Sequence, residues 1–280
     1  MNIGIKTNPQ HTTWDAMLAT WQRADGNESI TSAWVFDHFY PIHTMTDGPC
    51  FEGWTSLAAL AQATNRLQVG TMVNGMPYRH PAVTANMAAT LDTISGGRFQ
   101  LGLGAGWNQE EADAYGISLG DSLTERFDMF DEGVEIIVSM LSNEHTSFDG
   151  EYFQLSDARN EPKGPQRPHP PIVIGGGGER RTLRTVARWA NHWNSPPVGL
   201  DTWAHKRSVL DQHCANLGRD SSEILCSYMV RFTPDLDAEA IRAEMKSLAD
   251  AGVGTFIFNL PSPHNPDHVD EVAKLVAPLL

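Results

Sequence analysis

The feature that most constrains the fold is a regular alternation between short apolar runs and segments whose apolar residues recur at helical spacing. Eight runs of strand character are each followed by a helical or loop segment. The runs are residues 2–7, 33–36, 67–73, 98–106, 172–174, 192–195, 224–232 and 255–261. Repeated strand–helix units build a parallel sheet, and eight of them favour closure into a barrel. We therefore predict an α/β fold, a (β/α)8 TIM barrel.

Two stretches interrupt this alternation. Residues 107–122, after the fourth strand, are polar and are predicted to be a loop. Residues 143–170, before the fifth strand, contain an Asp149-Gly150 turn between short aromatic runs, which predicts a β-hairpin. A segment of this length cannot form its own core. We interpret both stretches as insertions in one domain that covers residues 1–280, since such a barrel commonly needs about 250 residues.

Composition excludes several classes of protein. The formal net charge of −14 argues against nucleic-acid and anionic-membrane partners, which need a basic surface. The three cysteines are widely spaced, and the histidines lack the spacing of a metal site, so neither a disulfide framework nor a bound metal is expected. No apolar run reaches the roughly 18 residues of a membrane helix. We expect a cytoplasmic protein with a small-molecule substrate.

A run of four glycines is the most distinctive local motif. Gly175, Gly176, Gly177 and Gly178 lie between a β-branched strand and a helix predicted over 179–190. A helix N-terminus carries unpaired N–H groups, and glycine lets a phosphate approach that backbone closely. The motif therefore favours a phosphate site, with a flexible hinge as the alternative. The arginines that follow could add charge or could be solvated: Arg180, Arg181 and Arg184.

Polar residues also follow other predicted strands, at the barrel end where active sites form. Asp37 and His38 follow the second strand, and they could be an acid–base pair or a helix cap beside a structural imidazole. Asn74 and Asn108 could each hydrogen-bond a heterocycle or simply make a turn. Alternating glycines in the fourth strand indicate that something packs closely against it. The remaining strand-end candidates are Asn8, Gly75, Gly106, Trp107, Asn194 and Ser195.

Seven motifs occur in an order that resembles one protein family. They are residues 34–39, 78–82, 91–99, 101–108, 125–127, 148–153 and 172–179. Together they make the chain similar to the bacterial-luciferase-like family, particularly its branch that uses the 8-hydroxy-5-deazaflavin coenzyme F-420. The resemblance covers nearly the whole chain. It implies a barrel with insertions, a homodimer, and a coenzyme that lies across the carboxyl ends of the strands.

The resemblance also implies roles for single positions. Asp37 and His38 correspond to the pair beside the deazaflavin ring, and Val73, Asn74 and Gly75 to the end of the third strand. Many relatives have a non-prolyl cis peptide at this position, and the sequence leaves open whether Val73-Asn74 is one. Two further groups complete the implied coenzyme site. Gly106, Trp107 and Asn108 correspond to the segment along the coenzyme tail, and residues 175–178 to the phosphate site.

The implied reaction is hydride transfer between coenzyme F-420 and a small organic substrate, with His38 as general acid or base. A flavin mononucleotide (FMN) monooxygenase is the main alternative, because flavin can activate oxygen. The sequence also leaves open a non-redox phosphate-binding barrel enzyme and a non-catalytic coenzyme-binding protein. A lysine at a strand end would support the non-redox enzyme, and only Lys6 comes near. Arg231 could hold an anionic substrate group or could pair with Asp235.

Overall fold

The computed structural model describes residues 1–43 and 45–280 and confirms the predicted TIM barrel. The strands are β1 (Asn2–Thr7), β2 (Ser32–Val35), β3 (Gln68–Thr71), β4 (Asn74–Gly75), β5 (Phe99–Gly104), β6 (His145–Asp149), β7 (Gln154–Arg159), β8 (Ile172–Gly175), β9 (His192–Ser195), β10 (Leu225–Arg231) and β11 (Thr255–Leu260). All except β4, β6 and β7 form a closed ring of eight parallel strands, and the two-residue β4 also pairs in parallel with β5. Two pairings close that ring: β1 lies against β11, and β3 lies against β5.

Helices cover the outside of the barrel. They are α1 (Trp14–Asp25), α2 (Gly53–Gln62), α3 (Pro81–Ser95), α4 (Gln109–Ala114), α5 (Leu123–Ser142), α6 (Thr182–Trp189), α7 (Leu200–Leu217), α8 (Ala238–Asp250) and α9 (Asp267–Val276). The largest buried side chains include Trp21, Trp193 and Trp203, which pack between the helices and the strands. No helix in the described residues is both long and apolar enough to cross a membrane.

The predicted loop after the fourth strand contains a helix that we did not predict from the sequence. Residues 109–114 form α4, and the side chain of Asn108 caps it by accepting the N–H of Glu111. A helix of six residues offers too few apolar positions for a helical period to be seen. The insertion before β8 contains the predicted hairpin, in which β6 and β7 pair in antiparallel fashion.

The glycines of β5 allow the barrel wall to pack against the end of β3. A Cβ atom on Gly102 would overlap the carbonyl oxygen of Thr71, and one on Gly104 would lie 2.6 Å from Cγ2 of Val73. The sequence predicted that something packs closely against the glycines of β5, and the structure shows that it is the end of β3 and the residues after it. The structure has a non-prolyl cis peptide at Met72-Val73, one bond before Val73-Asn74, the bond for which the sequence left the question open. Met72 still hydrogen-bonds β2 through its N–H, and the chain pairs with β5 again from Asn74.

Candidate active site

A cavity of about 430 Å³ opens at the carboxyl ends of the barrel strands. Several predicted site residues line it, and others do not. The lining residues are Lys6, Phe36, Asp37, His38, Ile42, His43, Met72, Val73, Gly75, Tyr78, Gly104, Ala105, Gly106, Trp107, Phe127, Gly175 and Thr182. Met72, which lines the cavity, belongs to a buried apolar cluster with Trp34, Val173 and Ile257. The cavity is therefore reached from the end of the barrel where the predicted polar residues lie.

A buried carboxylate holds His38 in place. Oε2 of Glu111 lies 2.6 Å from Nδ1 of His38 and accepts the hydroxyl of Tyr78 at 2.5 Å. Oε1 of Glu111 accepts the backbone N–H of Phe39 at 2.6 Å. Burial opposes ionisation of Glu111, but these three hydrogen bonds outweigh it and lower the pKa of the carboxyl below its ordinary value.

The ionised carboxylate of Glu111 fixes the tautomer of His38. A carboxylate can only accept, so we assign the proton of neutral His38 to Nδ1, which leaves the lone pair of Nε2 available. The rings of Phe36 and Trp107 pack edge-on against the imidazole, with centroids at 5.0 and 5.6 Å. The arrangement can therefore accept or deliver a proton at Nε2 from a defined position.

Glu111 lies in the segment that we predicted to be a loop, so sequence reasoning missed it. One signal was present: Asn108 and Glu111 have the spacing of a helix cap followed by an acidic third residue. That signal predicts the short helix. It does not predict that the carboxylate reaches a histidine 73 positions earlier in the chain.

Asp37 contacts Arg79 rather than His38. Its Oδ2 lies 2.7 Å from Nη1 of Arg79, whose Nη2 lies 2.6 Å from Glu52. The two side chains that the sequence places together therefore have different partners. Burial outweighs the attraction of Arg79 and raises the pKa of Asp37 to about 6. Oδ1 of Asp37 has no hydrogen-bond donor within the described residues.

The end of β3 supplies cavity wall rather than an amide. The side chain of Val73 lies close to both Gly104 and Gly175, where a Cβ atom would overlap it, and Gly75 also lines the cavity. Asn74 is fully buried outside the cavity lining, and its Oδ1 accepts hydrogen bonds from Trp54 and Arg79. Its Oδ1 therefore holds Arg79 beside Asp37, while its Nδ2 has no hydrogen-bond acceptor in the described residues.

Trp107 forms part of the cavity rim. It is 56% exposed and stacks on His43 at a centroid distance of 6.2 Å. Gly106, with φ of 81°, also lines the cavity. Asn108 does not line it, because its side chain caps α4. Of the three residues predicted to lie along the coenzyme tail, Gly106 and Trp107 therefore line the cavity, and Asn108 caps the helix that carries Glu111.

The glycine turn partly matches the predicted phosphate site. The N–H of Gly176 donates to the carbonyl of Asn194, but the N–H groups of Gly177 and Gly178 have no acceptor within the described residues. Nζ of Lys206 lies 2.7 Å from the carbonyl oxygen of Gly177 and 3.2 Å from Oε1 of Glu179, so its charge is paired with that carboxylate. The two free backbone N–H groups of the turn suit an anion.

Two parts of that prediction need correction. The helix after the glycines begins at Thr182 rather than at Glu179, so the free N–H groups belong to the turn and not to the first turn of α6. Arg181 pairs with Asp128 and Asp131, so its charge is already balanced. Arg184 also pairs with Asp131.

Comparisons with known proteins show the family of this chain. A family model described as luciferase-like monooxygenase matches residues 1–274. An uncharacterized protein of Mycobacterium tuberculosis is 30% identical over 227 residues, which are 81% of this chain and 75% of that protein.

Two solved structures are similar in fold. One is an F-420-dependent secondary alcohol dehydrogenase in complex with an F-420–acetone adduct. It superposes with a TM-score of 0.88 at 20% sequence identity, and the match covers 100% of this chain and 99% of that chain. Another is the oxygenating constituent of 3,6-diketocamphane monooxygenase from Pseudomonas putida, in complex with FMN. It superposes with a TM-score of 0.65 at 22% sequence identity, and the match covers 88% of this chain and 71% of that chain. With the family match over nearly the whole sequence, these findings lead to one conclusion: the chain belongs to the luciferase-like monooxygenase family of oxidoreductases.

Proposed function

We propose that this protein transfers hydride between coenzyme F-420 and a small organic substrate whose oxygen exchanges a proton with His38. One observation carries the proposal: Glu111 holds Nδ1 of His38 at 2.6 Å, and the imidazole lines the cavity. Hydride transfer to or from a carbon that bears oxygen needs a proton donor or acceptor at that oxygen. When bound, the coenzyme supplies a ring carbon that accepts or delivers the hydride.

The residues around His38 make it suited to proton exchange in either direction. Neutral His38 accepts the proton of an alcohol at Nε2, and protonated His38 donates one to a carbonyl oxygen. Tyr78 and the backbone N–H of Phe39 donate to Glu111 and keep its carboxylate in place against Nδ1 of His38. His38 is thus the proposed catalytic residue, and Glu111 and Tyr78 are positioning residues.

The coenzyme residues are proposed from the cavity and from the family resemblance. Val73, Gly75 and His38 would lie beside the ring, and Gly106 and Trp107 along the tail. The free N–H groups of the glycine turn at 175–178 would bind its phosphate. The sequence also placed Asp37, Asn74 and Asn108 at the coenzyme. We propose that they act indirectly: Asp37 and Asn74 through their contacts with Arg79, and Asn108 by capping the helix that carries Glu111. The similarity in fold to an F-420-dependent alcohol dehydrogenase supports this placement.

An FMN-dependent monooxygenase is the second candidate. Its support is the similarity in fold to a monooxygenase in complex with FMN and the description of the matching family model. A phosphate in the glycine turn would suit either coenzyme, since both carry one. The two candidates differ in the reaction of the reduced coenzyme: one passes hydride to an organic acceptor, and the other reacts with oxygen.

The test follows the fate of the reduced coenzyme. Reduced F-420 is mixed anaerobically with the protein and a panel of aldehydes and ketones, and the return of oxidised-coenzyme absorbance is recorded. We expect reoxidation with at least one carbonyl compound, and its loss in His38→Ala. Rapid oxygen consumption with reduced FMN, together with no reoxidation of F-420 by any compound, would contradict the proposal and support the monooxygenase.

We also propose that the protein is a homodimer, on the basis of the family resemblance alone. Sedimentation equilibrium of the purified protein measures its mass directly. A mass twice the 30.8 kDa of one chain is expected, and a mass of one chain at micromolar concentration would contradict it.

A further inference from the structure

Lys6 occupies a position that the proposed reaction leaves unused. It lies near the carboxyl end of β1 and lines two adjoining cavities, the central one and a neighbour of about 210 Å³. Within the described residues, Lys6 is the only lysine or arginine that lines either cavity. Arg231, which the sequence suggested for an anionic substrate group, is exposed and lines neither.

The ammonium of Lys6 has no anionic partner in the described part of the chain. The two carboxylates at the cavity are already engaged, because Asp37 contacts Arg79 and Glu111 contacts His38. The ammonium lies over the ring of Phe36, 6.0 Å from its centroid. Burial lowers the pKa of Lys6 to about 8, as expected when a charge is removed from water without compensation.

The surroundings of Lys6 suit the polar end of an otherwise apolar ligand. Met72, Met229 and Pro196 form apolar wall in the smaller cavity. A carboxylate that reached Lys6 would pair the buried charge. Because the net charge of the chain is −14, an anionic ligand must be held by local donors such as this ammonium.

We propose that Lys6 is the anion-binding group of the substrate pocket and that the natural substrate carries a carboxylate. Calling this ligand the substrate rests on the hydride-transfer function proposed above, whereas the anion site itself does not. The oxidised carbon would lie toward His38 and the carboxylate toward Lys6, so the two groups would orient one molecule from two sides.

The first experiment tests the anion site without coenzyme or turnover. The purified protein is acetylated with N-hydroxysuccinimidyl acetate at about pH 8, near the lowered pKa of Lys6, and the labelling rate of each lysine is followed by peptide mass spectrometry. Benzoate is the probe, and benzyl alcohol is its neutral counterpart of similar shape. Lys246 is the internal control, because it is exposed on α8 and lines neither cavity.

We expect benzoate to slow acetylation of Lys6 at least fivefold, and we expect benzyl alcohol to leave it unchanged. Neither compound should change the labelling of Lys246. Equal protection by benzyl alcohol would show that the effect is steric and would overturn the proposal. Absence of protection by benzoate, or failure of Lys6 to react at all, would overturn it as well.

The second experiment separates a substrate role from a coenzyme role. Lys6→Met, Lys6→Arg and Lys246→Met are titrated with F-420, and then with benzoate in the presence of the bound coenzyme. We expect Lys6→Met to weaken benzoate binding by about tenfold or more, because a charge-assisted hydrogen bond is lost. Lys6→Arg, which keeps the positive charge, should retain part of the benzoate affinity that Lys6→Met loses.

Coenzyme affinity should change less than about threefold in all three variants. A larger loss for F-420 than for benzoate in Lys6→Met would assign the lysine to the coenzyme and overturn the proposal. If the wild-type protein failed to bind F-420 but Lys6 were still protected by benzoate, the coenzyme assignment would fail and the anion site would stand.

Discussion

Replacing Glu111 by glutamine tests the hydrogen-bond network that holds His38. Two donors meet at Oε2 of Glu111 and one at Oε1, and the side chain has no solvent exposure. A glutamine presents only one acceptor oxygen, so its NH2 group must face either Phe39 N–H or the pair formed by His38 and Tyr78. At least one buried donor then loses its acceptor.

The size of the effect follows from that count. A net hydrogen bond to a charged group contributes about 1.5–3 kcal/mol, and an unsatisfied buried donor costs a similar amount. We therefore expect Glu111→Gln to lower the free energy of unfolding by about 3 kcal/mol. For a chain of this size, that corresponds to a fall of roughly 5–10 °C in Tm.

Urea denaturation at pH 7 measures this loss, with Glu110→Gln as the matched control. Glu110 is the exposed neighbour on the same short helix, and its replacement should change stability by less than about 0.5 kcal/mol. Equal unfolding free energies for Glu111→Gln and Glu110→Gln would show that the hydrogen bonds of Glu111 do not stabilise the fold, and would refute the reasoning.

The pH dependence gives a second check on the same residue. Hydrogen bonds lower the folded-state pKa of Glu111, so its contribution is complete above the unfolded-state pKa of about 4.3 and is lost as the pH falls through the folded value. The difference between the wild type and Glu111→Gln should stay constant from pH 7 to about pH 5 and narrow at lower pH. A difference that grew as the pH fell would contradict the assignment of Glu111 as an ionised acceptor.

The remaining predictions concern three other positions. We expect His38→Ala to keep coenzyme affinity within a few-fold while turnover falls at least about a hundredfold, since it removes the proton donor and acceptor; an equal loss of both would indicate a binding role. Gly177→Val should weaken coenzyme binding in fluorescence titration far more than it lowers the urea midpoint, and unchanged affinity in the folded variant would remove the phosphate assignment. Arg79→Met should cost about 3–5 kcal/mol at pH 7, because it leaves the Asp37 carboxylate buried without a cation. The cost should shrink at pH 5, where a carboxyl whose folded-state pKa is raised to about 6 is largely protonated, and urea midpoints at both pH values will show whether it does.

The fold could be predicted because strand and helix periods are local properties of the chain. Apolar runs and helical spacing located all eight barrel strands to within a few residues, and the Asp149-Gly150 turn located the hairpin. The exceptions have a common cause, which is that local signals become weak over short segments. α4 has six residues, and the start of α6 is set by the geometry of a glycine turn rather than by a capping residue.

The candidate site was less predictable, because its contacts join distant parts of the chain. The sequence identified His38 as a strand-end residue, but it placed Asp37 beside it and could not show that Glu111 is the partner. Asn74 was selected as a polar residue at a strand end, and only the structure shows that its amide faces Trp54 and Arg79.

The glycine turn illustrates the same limit at one position. All four glycines looked equivalent in the sequence, yet Gly176 has φ of 117° and already hydrogen-bonds Asn194. A side chain there is strained regardless of any ligand. Loss of coenzyme affinity in Gly176→Val would therefore mix backbone strain with steric exclusion, which makes Gly177 the better position for the test.

The central claim is that this site takes a deazaflavin coenzyme for hydride transfer. The most direct measurement is an anaerobic fluorescence titration of the purified protein with F-420 and, in parallel, with FMN. We expect saturable binding of F-420 that is at least tenfold tighter than binding of FMN. Tighter binding of FMN would contradict the claim in favour of a monooxygenase, and binding of neither would show that the cavity does not hold a flavin-type coenzyme.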